Sequence, residues 1–255
     1  MTATALGNGA RLAAKSVSGP GTPASVWLSW TRRLPALDLT ACPGLVVVAA
    51  HPDDETLGLG GMIAVLTSVG VRVDVVSVSD GGAAYPGVSH LERKRLEQTR
   101  RCELSKAAGV LGVNDIVRLG LPDGGLSDHE AWLADALRRI LSKQPAGVWC
   151  AANWRGDGHP DHEAVGRASR FAARRTGAVL LDYPIWMWHW AVPDDSAVPW
   201  PRARSVSLTS SSVERKQLAA QSFRSQFTIS AGQGSPVLPS HVIKRLLAVG
   251  EVVFC

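Results

Sequence analysis

The spacing of apolar positions along the chain predicts an α/β fold. Residues 45–50 form a continuous apolar run rich in valine, as expected for a strand buried on both faces of a parallel sheet. Further strands are predicted at residues 71–79, 116–121, 147–151 and 178–183, and helices at 60–69, 89–111, 130–142 and 162–175. Because strands and helices alternate, we expect right-handed crossovers and a doubly wound, mostly parallel, Rossmann-like sheet.

The two ends of the chain depart from this alternation. Residues 1–25 are rich in Ala, Gly, Ser, Thr and Pro without periodicity, which predicts a flexible N-terminal tail or one laid along the surface. Residues 185–255 begin with Trp- and Pro-rich sequence, followed by a predicted strand at 205–208 and helices at 211–222 and 237–249. This region is interpreted as a C-terminal cap packed on the same core.

Length and composition favour one domain. The chain has 255 residues with 45% hydrophobic content, enough for a single sizeable core. We therefore expect one domain over residues 26–255, with its core at 44–184 and the cap at 185–255.

The charge and the cysteines narrow the class of protein. The net charge of +5 is spread along the chain, which favours a solvated basic surface over a nucleic-acid interface. The four cysteines have no CxxC spacing and are expected to be free thiols. No apolar run approaches the roughly 20 residues of a transmembrane helix, and the N-terminus lacks the pattern of a secretory signal. A cytoplasmic location is the expectation.

Polar clusters follow four of the predicted strands. They lie at residues 51–55, 79–82, 122–124 and 153–162. Ligands of such sheets bind at the carboxyl ends of the strands, so we expect these clusters to form one site.

Two of these clusters contain the residue types of a catalytic zinc site. Each holds histidine and aspartate within four positions: His51, Asp53 and Asp54 in one, and His159, Asp161 and His162 in the other. A catalytic zinc needs three protein ligands and an open position for water. Two histidines and one carboxylate meet this need, and a further carboxylate and imidazole remain for proton transfer and for stabilising an oxyanion. Either cluster alone is more often a helix cap or a surface accident; their coincidence at two strand ends favours the metal site.

The same motifs resemble those of a known family. The sequence AAHPDDE at residues 49–55 and HPDH at residues 159–162 look like the two signatures of the LmbE-like (PIG-L) zinc-dependent N-deacetylases, which act on small molecules containing N-acetylglucosamine. The resemblance extends from Trp27 to the C-terminus in the order of its elements. It implies a hydrolase with one Zn²⁺ per chain.

The resemblance also implies roles for individual residues. It assigns His51, Asp54 and His162 as zinc ligands and Asp53 as the general base that later protonates the leaving amine.

In the same family pattern, His159 stabilises the tetrahedral intermediate together with zinc, and Asp161 hydrogen-bonds His159 and holds its positive charge and orientation. A substrate-binding arginine and aspartate correspond to Arg100 and, less closely, Asp123.

The tryptophans bear on the substrate. Of nine tryptophans, four fall in loops predicted near the metal: Trp154, Trp186, Trp188 and Trp190. Indole faces there stack on sugars or aromatic groups or else fill the core, and we expect Trp154, Trp186 and Trp188 to bind substrate. An aromatic rim favours an N-acetylglucosaminyl group on a secondary metabolite, such as a glycopeptide antibiotic precursor. The alternative substrate is the precursor of a sugar thiol of the mycothiol type.

Two other classes of function stay open on the sequence. A two-metal phosphoesterase could use Asp53, Asp54 and Asp161 to share a metal pair. A non-catalytic sugar-binding α/β module would need no metal. A small-molecule N-acetylglucosaminide is the expected partner, and the sequence does not fix the oligomeric state.

Overall fold

A seven-stranded sheet forms the centre of the molecule. The computed structural model describes residues 7–85, 87–228 and 236–255. The strands are β1 (Leu45–Ala49), β2 (Val73–Ser79), β3 (Asp115–Leu121), β4 (Trp149–Asn153), β5 (Val179–Tyr183), β6 (Ala203–Ser205) and β7 (Val252–Phe254). Their order across the sheet is β3-β2-β1-β4-β5-β7-β6.

The first five strands are parallel and confirm the predicted fold class. In the register, Leu45 of β1 is paired with Val73 of β2 on one side and with Trp149 of β4 on the other. Strand β7 pairs antiparallel with β5, and β6 pairs antiparallel with β7. Because β1, β2 and β4 are parallel neighbours, the loops that follow them leave the same edge of the sheet.

Helices cover both faces of the sheet. They are α1 (Asn8–Ala13), α2 (Ala24–Leu28), α3 (Asp54–Ser68), α4 (His90–Leu111), α5 (Glu130–Leu141), α6 (Pro160–Thr176), α7 (Met187–Trp190), α8 (Ser210–Ala220), α9 (Arg224–Phe227) and α10 (Ser240–Ala248). Alternate residues of β1 point to opposite faces. Leu45 and Val47 join the core formed with α3, α4 and the C-terminal helices, whereas Val46 and Val48 join the core formed with α5 and α6.

Several element boundaries differ from the sequence predictions. Helix α3 begins at Asp54 rather than residue 60, because its polar first turn belongs to the site and has no apolar periodicity. Strand β6 precedes the predicted 205–208 run, and the three-residue strand β7 was not predicted. Strands this short depend on pairing with neighbours rather than on local pattern.

The described part of the N-terminal segment contains two short helices that the sequence pattern did not predict. Residues 8–13 and 24–28 form α1 and α2. Asn8 bonds to Gly156, which is 148 positions away, and Arg11 bonds to Asp195, which is 184 positions away. Residues 1–6 of the predicted tail lie outside the described residues. Local periodicity missed these helices because distant contacts, and not an apolar stripe of their own, hold them.

Across the described part of the chain, no helix combines the length and apolar character needed to cross a membrane. The four cysteines are free thiols.

Candidate metal centre and active site

Three side chains converge at the carboxyl edge of β1 and β4. The His51 Nδ1 atom lies 3.5 Å from Asp54 Oδ2, the His162 Nε2 atom lies 3.3 Å from the same oxygen, and the two ring nitrogens are 3.3 Å apart. Ligand atoms placed about 2.0–2.1 Å from a tetrahedral ion lie about 3.3 Å from one another. The nearly equilateral spacing of two nitrogens and one oxygen therefore fits a metal such as zinc with an open fourth position.

The two turns that carry this triangle explain why distant residues meet. His51 follows β1 directly, and Asp54 is the first residue of α3, where its Oδ2 also accepts a hydrogen bond from the His51 backbone N–H at 3.0 Å. His162 lies in the first turn of α6, which begins after the β4 loop. Parallel pairing of β1 with β4 then brings the two turns together.

Asp157 orients His162 and was not singled out by its sequence. Its Oδ2 lies 2.8 Å from His162 Nδ1, which leaves Nε2 as the unprotonated nitrogen facing the triangle. The Asp157 carboxylate is fully buried and also accepts hydrogen bonds from the backbone N–H groups of residues 185, 186 and 187 at 2.9–3.0 Å. The available signal was the position of Asp157 in the polar cluster after β4, but its partners lie after β5 and in the first turn of α6.

Asp123 contacts the ring of His51 in the way that Asp157 contacts the ring of His162. Its Oδ1 lies 3.0 Å from His51 Nε2, and its Oδ2 accepts a hydrogen bond from Ala83 N at 2.7 Å. Burial lowers the pKa of His51, but hydrogen bonds to Asp123, Asp161 and Asp54 outweigh it and raise that pKa well above its usual value. Asp123 lines the cleft as expected for a substrate-binding residue, but its carboxylate is occupied by His51 and the Ala83 backbone.

The carboxylates of Asp53 and Asp54 diverge. Asp54 faces the two histidines, whereas Asp53 Oδ2 lies 3.3 Å from the Arg100 guanidinium. Asp53 has φ of 129°, a backbone conformation that costs a non-glycine residue on the order of 1–3 kcal/mol. Burial, together with the neighbouring charges of Asp54 and Glu55, raises the pKa of Asp53 to about 7 against the opposing charge of Arg100. The strained turn thus holds beside the triangle a carboxylate suited to proton transfer.

Arg100 ties together the loops after β1 and β2. It is 3% exposed and donates hydrogen bonds to Pro52 O at 2.7 Å and Gly81 O at 3.0 Å, besides facing Asp53. Gly81 has φ of +67°, and a Cβ added there would lie 2.1 Å from the guanidinium. Arg100 also lines the cleft, and its Nε has no hydrogen-bond partner among the described residues. The contacts of Arg100 in the structure are with protein groups, and its substrate-binding role stays a prediction.

His159 faces the metal triangle as a neutral ring. Its ring centre lies 5.1 Å from that of His51 and 4.7 Å from that of His162. Burial, together with the charges of His162 and His51, lowers the pKa of His159 to about 3, so the charged form that the resemblance implied is not favoured. Its Nδ1 accepts a hydrogen bond from the Asp161 backbone N–H at 3.2 Å, which assigns the ring proton to Nε2.

Asp161 has different partners from the one expected. Its carboxylate accepts hydrogen bonds from Gly124 N at 2.8 Å and Leu126 N at 3.1 Å, and its Oδ2 lies 3.3 Å from His51 Nε2. Only its backbone contacts the His159 ring. Asp161 therefore anchors the loop after β3 beside His51, and the predicted carboxylate bond to His159 is not formed.

A cleft of about 240 Å³ opens over the triangle, and its lining combines polar and apolar side chains. The polar residues include the three histidines, Asp53, Asp54 and Arg100. The apolar residues include Leu57, Ile185, Trp186, Val237 and Leu238. Such a cleft, mostly apolar with a few convergent polar groups, is typical of small-molecule sites.

Of the three tryptophans predicted to bind substrate, only Trp186 lines this cleft. Trp154 is buried against Phe254, with ring centres 5.0 Å apart, and Trp188 packs edge-on against Trp27 at 4.9 Å. The prediction was therefore wrong for Trp154 and Trp188, because loop position alone does not show which way an indole points.

Together these features define an α/β protein with a histidine and carboxylate centre suited to a metal ion. The chain belongs to the PIG-L family: residues 46–173 match the family model described as GlcNAc-PI de-N-acetylase. The family predicted from the two motifs is confirmed.

Relatives and solved structures agree with this assignment. The chain is 34% identical over 178 residues to 1D-myo-inositol 2-acetamido-2-deoxy-alpha-D-glucopyranoside deacetylase 1 of Saccharopolyspora erythraea, covering 56% of this chain and 58% of the relative. It is 30% identical over 258 residues to the corresponding deacetylase of Mycobacterium sp. (strain KMS), covering 83% of each chain. The chain spans little more than half the length of several of these relatives.

A solved structure also shares the fold. It is described as a deacetylase triple mutant involved in the teicoplanin biosynthetic pathway, and it is similar with a TM-score of 0.63 at 22% identity, covering 83% of this chain and 96% of that chain. At this identity the likeness shows the fold alone.

Proposed function

We propose that this protein is a zinc-dependent N-deacetylase that hydrolyses the N-acetyl or N-acyl amide of an N-acetylglucosaminyl group on a small molecule. The observation that carries the proposal is the near-equilateral triangle of His51 Nδ1, Asp54 Oδ2 and His162 Nε2 beside an independent carboxylate, Asp53. The family assignment and the names of the relatives support the same reaction.

The residues would divide the chemistry among them. When bound by His51, Asp54 and His162, zinc supplies a Lewis acid that acidifies a water and polarises the amide carbonyl. Asp53 takes a proton from the attacking water and returns it to the nitrogen as the C–N bond breaks, giving the carboxylate and the free amine.

His159 would act as a neutral donor. Because its Nδ1 accepts the Asp161 N–H, its Nε2 proton is free to hydrogen-bond the carbonyl oxygen as negative charge develops there. This role needs no protonated imidazole, in keeping with the low pKa of His159.

The apolar lining of the cleft supports a substrate with an apolar group next to the sugar. Trp186 and Leu238 line the same cleft as the triangle, and apolar side chains there suit an aromatic or acyl group. We therefore keep a glycopeptide antibiotic precursor as the proposed substrate class. The relative of Mycobacterium sp. (strain KMS), matched over 83% of this chain, favours an inositol-linked glucosaminide as the second candidate.

Amine release and metal content test the proposal together. Zinc-loaded protein should release free amine from N-acetylglucosaminides. A higher kcat/KM on a glycopeptide aglycone supports the first substrate class, and a higher kcat/KM on an inositol aglycone supports the second. One zinc per chain with amine release supports the deacetylase. Two divalent ions with phosphate-ester hydrolysis would support the phosphoesterase instead, and neither metal nor amine release would support a sugar-binding module.

A further inference from the structure

The N-terminal segment touches the loop that carries the active site. We call residues 7–22 the N-terminal strap and residues 154–159 the β4 loop. The family match begins only at residue 46, so the strap lies outside it. The Asn8 side chain donates a hydrogen bond from Nδ2 to Gly156 O at 2.8 Å, across 148 positions of sequence.

The strap also packs closely against Gly158. This glycine has φ of +92°, and a Cβ added to it would lie 2.9 Å from Asn8 O and 3.1 Å from Leu12 Cβ. The contact is therefore a close approach of two backbones that only glycine permits.

The β4 loop needs such support because of its composition. It contains two glycines, Gly156 and Gly158, on either side of Asp157, and glycine leaves a chain with many accessible conformations. The same loop carries Asp157, which orients His162, and His159, which faces the triangle. Movement of the loop would therefore displace both Asp157 and His159.

The strap is in turn fixed to α7, which lies behind the loop. The Lys15 ammonium donates to Trp190 O at 2.8 Å, and the Thr22 hydroxyl donates to Ala191 O at 2.6 Å. Arg11 makes two hydrogen bonds to Asp195, at 2.9 and 2.6 Å. The bonds from Lys15 and Thr22 occupy carbonyl groups at the end of α7 that the helix itself leaves free.

Trp190 completes the connection between α7 and the loop. Its Nε1 donates to Asp157 O at 2.7 Å, and the side chain is 2% exposed. Trp190 and Asn8 therefore hold the loop backbone in addition to the bonds made by the Asp157 carboxylate.

We propose that the N-terminal strap positions the β4 loop for the reaction, with Asn8 as the positioning residue that fixes Gly156 and, through the loop, Asp157 and His159. The inference rests on the proposed function for its kinetic consequence. Its structural consequence, a loop whose order depends on Asn8, is independent of the substrate.

Point variants of the full chain test this. Asn8→Ala removes the donor, and Asn8→Gln keeps an amide donor on a longer stem. Ser18→Ala is the matched control, because Ser18 is an exposed strap residue whose hydroxyl contacts only Ser16 among the described residues. Helix α1 has no buried residue, so Asn8→Ala is expected to fold, and far-UV circular dichroism checks this.

Three measurements read the position of the loop. In metal-free protein, hydrogen exchange of the amides of residues 155–159 should quicken in Asn8→Ala and stay unchanged in Ser18→Ala. Zinc affinity, measured by competition with a chelator, should fall by about three- to tenfold, less than the 10–100-fold typical of residues that bond a ligand directly. With an N-acetylglucosaminide, kcat should fall more than KM changes, and Asn8→Gln should recover part of each effect.

The outcomes separate the two proposals. If Asn8→Ala lowers only the melting temperature, with wild-type loop exchange and zinc affinity, the strap is a structural anchor and the inference is overturned. If wild-type protein releases no amine, the proposed function fails, and the exchange and zinc measurements still decide the role of the strap.

Discussion

The Asp157 carboxylate lies 2.8 Å from His162 Nδ1 and is buried completely. It accepts four hydrogen bonds in all, three of them from consecutive backbone N–H groups after β5. One side chain therefore fixes both the tautomer of a candidate metal ligand and the backbone that leads into α7. A substitution of Asp157 should therefore lower both the metal affinity and the stability of the protein.

Asp157→Asn tests this link. The amide keeps one acceptor oxygen, but its NH₂ group must face either His162 Nδ1–H or a backbone N–H, so at least one buried donor loses its partner. We expect zinc affinity to fall by about 10–100-fold and the melting temperature to decrease. Asp135→Asn, at a surface carboxylate of α5 paired only with arginines, is the control and should change neither. Unchanged zinc affinity in Asp157→Asn would show that His162 is oriented by other contacts.

Asp53→Asn should keep the metal and lose the reaction. Its carboxylate faces Arg100 rather than the triangle, so the ligand set is intact in the variant. Loss of a general base lowers rates by about 10²–10⁴-fold, and we expect kcat to fall within this range. Zinc content by elemental analysis and kcat on an N-acetylglucosaminide are measured on the same preparation. A variant that loses its zinc, or that keeps wild-type kcat with zinc bound, contradicts the role of base.

Asp54→Ala and His162→Ala should instead lose the metal. Each removes one of only three protein ligand atoms in the triangle. His159→Ala is the control, because His159 lies beside the triangle but is not among its three ligands in this assignment. After dialysis against a mild chelator, the two ligand variants should retain much less zinc than His159→Ala. Equal retention in all three would refute the assignment.

Gly81→Ala should disturb the Arg100 clamp. The new Cβ would lie 2.1 Å from the guanidinium and would force it away from Pro52 and Asp53. Gly70→Ala is the matched control: Gly70 also has a positive φ, of +82°, but nothing lies within 4 Å of an added Cβ. Both variants carry a similar backbone strain, on the order of 1 kcal/mol, so the difference between them reports the clamp. We expect kcat/KM to fall in Gly81→Ala and to stay near wild type in Gly70→Ala; equal values would show that the clamp is dispensable.

Asp182 should make the protein less stable as pH rises from about 4 to about 6. Burial raises its pKa to about 6, against the lowering charges of Arg155, Arg202 and Arg170. In this window the folded state binds the proton that the unfolded state has released, so stability is highest below the unfolded pKa of 3.8 and falls as pH rises through the folded pKa. The shift of about two units corresponds to up to about 3 kcal/mol.

Asp182→Asn provides the comparison, since its side chain does not titrate. The free energy of urea unfolding is measured for both proteins at several pH values between 4 and 8, and the stability of the variant relative to wild type should increase over that range. A difference that stays constant with pH would show that Asp182 does not titrate in this window.

The sequence by itself determined the class of fold and the loops that form the site. The strand pattern at residues 45–50 and the alternation that follows predict parallel strands, and parallel strands must deliver their carboxyl-terminal loops to one edge. That is why the loops carrying His51 and His162, which are 111 positions apart, could be expected to meet, and their ring nitrogens lie 3.3 Å apart.

Only the tertiary structure decided which groups support these loops. The partners of Asp157 and Asp161 lie in the loops after β5 and β3, and Trp188 packs on Trp27 of α2. Asn8 bonds to Gly156 across 148 positions. Periodicity reports which face of an element is buried, because burial repeats along the element. A single buried hydrogen bond between distant loops repeats nowhere in the sequence, so its existence is decided only when the packed core fixes the distance between the two loops.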